Sequence, residues 1–407
     1  MATDLPTLVM TGNGPGEIAG WVLPIATEMR RSDGTGLNLI LVLSPSQFAS
    51  GNEAALAARS GLFNEIVSPG QCARLALGWG HLALGRPAAL LHLGGDFWWS
   101  RRLAARWAIP ALAYVESDRF ARHYRAFQTI FVPYPNVSGW LTARGVDSAR
   151  IQVVGDPRVD YLPVQRRGNG EARAPRVVFL SGSRERVMRL LFPLWAETAL
   201  LLRGRVPQAE IAIAVYPYLP TTAIDEAVAP WRERFAREGV TVQRETTRQV
   251  VADVDLVITI PGTSTMEVAA VPVTALVVIP TQLAAGFTLE GAGEFILRAP
   301  LVGPLLRRAF APQWVLRQRV RSGQEGSHSY AALPNRLREQ AILPELVGVV
   351  TAARLAEEAA ALLADDSRRR RIEATLQEAA GPRGAAARIA THLNTILRPH
   401  PATAPRV

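Results

Sequence analysis

Leu256–Ile279, LVITIPGTSTMEVAAVPVTALVVI, is the stretch from which the fold can be read. Leu256–Ile260 is a short apolar run rich in β-branched residues, and its boundary at Pro261-Gly262 marks it as a buried strand. Gly262, Thr263, Ser264 and Thr265 then place small, hydroxyl-bearing residues where a helix must begin; Met266–Ala270 continues that helix and Pro272 ends it. Val273–Ile279 is a second apolar run. Strand, hydroxyl-rich turn, short helix and strand make a compact βαβ unit whose turn directs backbone N–H groups outward, a natural seat for phosphate. Glu267, one turn into the helix, suits a ribose, because a carboxylate accepts two hydroxyl hydrogen bonds at once. An N-capped helix of any α/β protein carries the same residues, so the stretch defines local fold and leaves ligand binding open.

The same alternation extends in both directions. Upstream, Arg176–Leu180 reads as a strand, Ser181-Gly182-Ser183-Arg184 as a turn and Val187–Leu202 as a helix, with further strands at Ile211–Val215 and Thr241–Gln243. Arg184 at its turn can meet a phosphate bidentately or lie on the surface as a solvated arginine. The first half of the chain repeats the pattern. Leu8–Thr11 is a strand, Gly12-Asn13-Gly14-Pro15-Gly16-Glu17 a glycine turn and Ile18–Arg30 a helix, followed by strands at Leu39–Leu43, Ala88–His92, Ala111–Val115, Thr129–Val132 and Ile151–Val154. The glycine turn is not a nicotinamide fingerprint, because the second strand ends in Ser44-Pro45-Ser46 where an acidic residue is needed. Close backbone approach to a substrate or a facing domain is the better use of it. In Leu90–Trp99, LLHLGGDFWW, Asp96 follows a buried strand, where open α/β sheets bind ligands; it is either a general base or a helix N-cap. Two Rossmann-like halves, each opening with a glycine turn, imply a cleft between domains.

Composition bounds the class. The chain has 407 residues, 48% apolar and 20% charged, ordinary globular material long enough for two domains. Its net charge is +10, and it contains no lysine, so all 45 basic residues are arginine. A lone Cys72 excludes an intramolecular disulfide and a cysteine-based zinc cluster. The amino terminus enters a strand and glycine turn without the parts of a signal peptide, which points to the cytoplasm. The apolar run Val268–Pro280 carries two prolines and is too short to span a membrane. Residues Gln165–Ala174 read as an interdomain linker, and Pro280–Tyr330, with arginines among apolar residues, as a basic amphipathic segment or a lid. Leu346 to about Leu397 reads as helical and alanine-rich, and 399–407 as a disordered tail. There is no internal repeat.

Together these stretches resemble the lipid-A-disaccharide synthase family, inverting glycosyltransferases of the GT-B fold, over most of the chain. Gly12, Gly16, Ile18 and Gly20 are the retained positions of the family's G-E-A-S-G-D-I-x-G turn, with Glu17 in place of its Asp. Asp96-Phe97 falls on its D-F, and Gly155-Asp-Pro-Arg-Val-Asp160 on its G-H-P-x-x-D. Gly182-Ser183-Arg184 matches P-G-S-R, Gly262-Thr263-x-Thr265-x-Glu267 matches G-T-A-T-L-E, and Tyr330, Leu333-Pro334-Asn335 and Pro344-Glu345-Leu346 match Y-x-S-L-P-N and P-E-L-L. The resemblance implies two Rossmann-like domains facing a cleft. An acceptor and membrane-side domain spans 1–165, completed by a C-terminal helix at 384–398, and a UDP-sugar domain spans 175–380. It further implies that Asp96 is the base for the acceptor hydroxyl and that Arg184, Gly262, Thr263, Ser264, Thr265, Glu267 and Asn335 hold the UDP-sugar. Gly12, Asn13, Gly14, Gly16 and Glu17 would line the acceptor side. No metal or cofactor is implied, because arginine and a helix N-terminus can stabilise the departing diphosphate. The implied partners are a UDP-sugar, a lipid acceptor and, peripherally, the anionic inner face of the cytoplasmic membrane; nucleic acid is not among them, and a homodimer stays open.

Departures from the family concentrate on the acceptor side. Leu93 replaces the first Asp of D-x-P-D-F-N, Val115–Phe120 replaces an aromatic S-P-S-x-W-A-W, and the Pro280–Tyr330 segment is longer. A glycosyltransferase with a different lipid acceptor, a nucleotide-sugar epimerase and a non-catalytic UDP-sugar or lipid scaffold are the alternatives. For an epimerase, Asp96, His92 and Glu116 are the acids and bases on offer.

Overall fold

The computed structural model describes residues 5–33, 36–46, 51–162, 173–286, 330–379 and 381–398. Most of the expected linker, the basic segment over 287–329 and the tail 399–407 lie outside them. The chain divides into two compact units, Met1–Tyr161 with Gly381–Val407, and Leu162–Ala380.

In the first unit, β1 (Thr7–Gly12), β2 (Asn38–Leu43), β3 (Glu65–Val67), β4 (Ala88–His92), β5 (Ala111–Tyr114), β6 (Thr129–Val132) and β7 (Ile151–Val153) form one parallel sheet in the order β3-β2-β1-β4-β5-β6-β7. Every residue of β1, β2 and β4 is buried, as a strand covered on both faces requires. Helices α1 (Leu23–Asp33), α2 (Pro69–Leu77) and α3 (Phe97–Trp107) flank it. The last helix of the chain, Ala385–Leu397, packs on α1 and sends Ile389 and Leu393 into the same core. Asp160 holds it there: its carboxylate accepts from the N–H groups of Gly384 (2.7 Å), Ala385 (3.2 Å) and Ala386 (2.7 Å), capping a helix N-terminus.

The second unit is also wholly parallel. Strands β8 (Arg176–Leu180), β9 (Glu210–Val215), β10 (Val240–Arg244), β11 (Leu256–Thr259), β12 (Ala275–Pro280) and β13 (Glu345–Gly348) run in the order β10-β9-β8-β11-β12-β13. The long helix α4 (Glu185–Arg205) inserts Trp195 under the sheet, where its indole donates to Leu180 O at 3.1 Å. Helices α5 (Ser264–Ala270) and α6 (Leu333–Arg338) lie among the strand-end loops of β11 and β12–β13.

Three expectations need correction. The first-unit helix starts at Pro15, passes through a π-helical turn at Ile18–Val22 and ends at Asp33; Gly20, inside that turn, packs against Arg158, where a Cβ would sit 2.6 Å from its Cγ. Edge strands β3 and β13 were not anticipated. The C-terminal helical stretch is three helices, Ala352–Ala364, Asp366–Ala379 and Ala385–Leu397, preceded by β13. Among the described residues no helix is long and apolar enough to cross a membrane.

Each sheet has one switch point, where strand order reverses: between β1 and β4 in the first unit, between β8 and β11 in the second. Loops leaving the carboxyl ends of such strand pairs diverge, and the crevice between them is where open α/β sheets bind ligands.

Candidate active site

The first crevice is built by the loops after β1 and β4, with β2 beside them. Thr11 and His92 are partners in the β1–β4 register, so Gly12–Glu17 and Leu93–Asp96 leave the sheet side by side. Gly14 is extended and opens the short helix Pro15–Glu17 that contains Gly16. Glu17 folds back onto this turn, its Oε2 accepting from Asn13 N at 3.0 Å and Gly14 N at 3.2 Å. Gly94 lies directly on that carboxylate: a Cβ there would sit 2.0 Å from Glu17 Oε2. Gly95 has φ +89°, and a Cβ would sit 2.1 Å from Ser44 Oγ and 2.8 Å from Asn13 Nδ2. The Ser44 hydroxyl is buried there without a hydrogen-bond partner among the described residues. Two glycines thus bring the β4 loop against a polar wall of Asn13, Glu17 and Ser44.

Asp96 stands at the end of that loop as the N-cap of α3. Its Oδ1 accepts from Trp98 N at 2.8 Å and the residue is exposed, so cap and solvent-accessible carboxylate coexist. The two other acid–base candidates are differently placed. His92 is 2% exposed, its Nδ1 lies 2.8 Å from Ser100 Oγ and 3.3 Å from Thr11 Oγ1, and its ring packs 4.2 Å from that of Phe97. Burial lowers its imidazole from 6.5 to about 3, so it is neutral at physiological pH. Glu116 pairs with the buried Arg158, which is also held by Asp156 at 2.6 Å and stacked 5.2 Å from the Trp21 ring centroid. Burial opposes the Arg158 charge, but the two carboxylates outweigh it and raise its pKa. His92 and Glu116 therefore build the crevice; among the three, Asp96 is the exposed one.

The second crevice lies between the loops after β8 and β11. Gly182 has φ +84° and turns the chain into Arg184, the extended N-cap residue of α4, which offers no side-chain cap to the helix. After β11, Gly262 is exposed and a Cβ there would meet nothing within 4 Å. Thr263 at the N-cap of α5 likewise makes no side-chain cap, and Ser264 Oγ lies 3.4 Å from Thr259 Oγ1. Glu267 is half-buried in the first turn of α5.

Two residues expected to touch the UDP-sugar are committed to the fold instead. Thr265 is fully buried and its hydroxyl donates to Gly262 O at 2.7 Å, closing the turn from inside. Asn335 is 0% exposed and uses all four hydrogen-bonding positions internally. Its Nδ2 donates to Leu343 O and Glu345 Oε1, and its Oδ1 accepts from Ile342 N and Leu343 N. In this structure both side chains are used inside the fold, beside the crevice.

The residues that sequence reasoning passed over are Ser44, Gly94 and Gly95. The doubled glycine before Asp96 was the available signal, since it marks a backbone that something must approach closely.

No family model matches the chain. The chain is similar to a lipid-A-disaccharide synthase from Chromohalobacter salexigens, 25% identical over 282 residues, a match that covers 61% of this chain; the chain spans 64% of the length of that curated relative. Among solved structures it is similar to a UDP-GlcNAc 2-epimerase from Neisseria meningitidis bound to UDP-GlcNAc (TM-score 0.55, 10% identity, 95% of this chain and 99% of that one). It is also similar to MurG from Acinetobacter baumannii (TM-score 0.53, 12% identity, 96% and 99%). At these identities the likenesses show the fold: two doubly wound α/β units of the GT-B type.

Proposed function

We propose that the protein transfers a sugar from a UDP-sugar donor to a lipid-linked sugar acceptor with inversion, specifically an acylated glucosamine as in formation of the lipid A disaccharide. The observation that carries this is positional. In each unit the candidate residues occupy the two loops that flank the switch point, Gly12–Glu17 with Asp96 in one and Arg184 with Gly262–Glu267 in the other. Those are the loops on which a ligand's reacting groups come to rest in open α/β sheets. The relatives named above, a lipid-A-disaccharide synthase and a UDP-GlcNAc-bound epimerase, agree with UDP-sugar chemistry on such a scaffold.

Inverting transfer needs one proton acceptor and one anion site. The Asp96 carboxylate takes the proton of the acceptor hydroxyl as its oxygen attacks the anomeric carbon, and the sugar–phosphate bond breaks with its electron pair leaving on UDP. Arg184, with the backbone N–H groups of the Gly262–Ser264 turn, stabilises the diphosphate before and during departure, and Glu267 takes the ribose hydroxyls. Thr265 positions that turn from inside through Gly262 O, and Asn335 positions the loop into β13 through Leu343 and Glu345. An epimerase on the same fold needs further acids and bases at the sugar, and His92 and Glu116 are held in the wall.

The lipid acceptor requires peripheral contact with an anionic membrane. Exposed Trp98 beside Arg101 and Arg102, with exposed Leu77 and Trp79 at the end of α2, supports it. Co-sedimentation with anionic vesicles should weaken as salt rises, because arginines near such headgroups contribute ~1 kcal/mol each and are screened. Equal binding at low and high salt, or none, would contradict the contact. For the chemistry, purified protein is given UDP-GlcNAc or its acylated derivatives with and without lipid acceptor. UDP release only with acceptor supports the transferase; isomerised sugar without acceptor, or binding without turnover, refutes it.

A further inference from the structure

A groove of about 730 Å³ runs beside α3, from Trp98 at its start to Ile109 beyond its end. That span is about 16 Å at the helical rise per residue. Ala105, Ile109 and Phe127 give it apolar contacts, and Gln128 lines it as well. Arg101, Arg102 and Arg150 line it together with Trp98, which is 46% exposed, and no carboxylate is among its lining residues. Each arginine is oriented by a contact that leaves other donors of its fork for a ligand. Arg101 Nη1 lies 3.3 Å from His123 Nδ1, Arg102 Nε donates to Ala76 O at 3.0 Å, and Arg150 Nη1 donates to Arg125 O at 3.0 Å. The nearest acid to any of them is Asp147, 3.8 Å from Arg150 and 60% exposed, too solvated to neutralise the set.

We infer that this groove is a binding site for one anionic phospholipid, the phosphate on Arg101 and Arg150 and an acyl chain along the floor beneath Trp98. Charge and shape select that occupant. Three arginine forks without a carboxylate favour a phosphate, and the apolar residues beside them suit a hydrocarbon chain. The site starts at Trp98, on the helix that Asp96 caps, and takes a lipid of the membrane rather than the acceptor. It deepens the membrane contact proposed above and rests on that contact only for the source of the lipid.

The test uses the full chain and a lipid that dissolves as monomers, so that binding does not depend on a bilayer. Isothermal titration compares dihexanoylphosphatidylglycerol, its phosphatidylcholine counterpart, inorganic phosphate and a single-stranded oligonucleotide. Two variants accompany the wild type, each checked for an unchanged melting temperature. Arg101→Gln with Arg150→Gln removes the phosphate contacts, and Ala105→Phe with Ala126→Phe, both at exposed positions, fills the trough. The phosphatidylglycerol should bind the wild type, and each variant should bind it at least ~10-fold more weakly, with phosphate alone and phosphatidylcholine well behind. Wild-type affinity in either variant, equal binding of phosphatidylcholine, or preference for the oligonucleotide would overturn the groove. Acceptor-dependent UDP release, measured separately on the wild type, reports on the transferase alone.

Discussion

The two crevices differ in what their glycines are for. In the first, Gly94 and Gly95 are demanded by the protein itself, since any Cβ would collide with Glu17 or Ser44. In the second, Gly262 faces open space and the fold makes no steric demand for it. A glycine the fold requires reports packing, whereas a glycine at an exposed turn that the fold does not require is where a ligand's requirement is to be sought. The first crevice is therefore a tightly built wall that presents one exposed carboxylate, and the second an open turn whose inner face is held by Thr265.

The largest expected effect is on the tight side. Gly94→Ala must displace the Glu17 carboxylate from two backbone N–H groups, costing about 3 kcal/mol, while Gly262→Ala should cost less than about 0.5 kcal/mol. Urea denaturation of both variants checks this, and equal losses would erase the distinction between the crevices.

Next comes the buried histidine behind the Asp96 loop. Its folded pKa of about 3 lies below the ordinary 6.5, so above pH 6.5 it is neutral in both states and its contribution to stability is complete. As pH falls from 6.5 toward 3 the unfolded chain takes up a proton that the folded one refuses, and stability is lost, by about 2 kcal/mol at pH 5 relative to pH 7. His92→Gln keeps a hydrogen-bonding group but does not titrate, so its stability should fall less over that interval. Parallel pH profiles for the two proteins would show that the wall is not tuned by burial.

The smallest effect belongs to the open side. Gly262→Val should fold like the wild type yet bind UDP about tenfold more weakly, by placing methyl groups where the turn must approach a phosphate. Unchanged UDP affinity by titration would move the donor site away from this turn.

What the sequence made legible follows from the same physics. Central strands such as Leu256–Thr259 and Asn38–Leu43 are covered on both faces and read as unbroken apolar runs. Edge position alone does not hide a strand, since Ile151–Val153 and Val240–Arg244 lie at edges and are legible, but Glu65–Val67 and Glu345–Gly348 each open on a glutamate and carry no such run. The π-helical turn at Ile18–Val22 packs through Gly20 against Arg158, more than a hundred residues away, and no local pattern announces it. For the site, residue type and position are informative while the direction of a side chain is not. Thr263 and Thr265 stand two apart in one turn, yet one hydroxyl is at the cap and the other is spent inside on Gly262 O. Asn335 reads from sequence as a ligand contact, and no local pattern shows that Glu345 folds across to meet it.

The proposed roles converge on Asp96. Replacing it by Asn keeps the cap acceptor to Trp98 N and the shape of the loop but removes the group that takes the acceptor's proton. The decisive measurement is UDP release from an acylated UDP-glucosamine in the presence of lipid acceptor, run beside UDP titration on the same preparations. Asp96→Asn should lower turnover by at least ~10²-fold with UDP affinity unchanged. Near-normal turnover in that variant would contradict the assignment of Asp96 as the base and leave Glu17, in the adjoining turn, as the carboxylate to replace next.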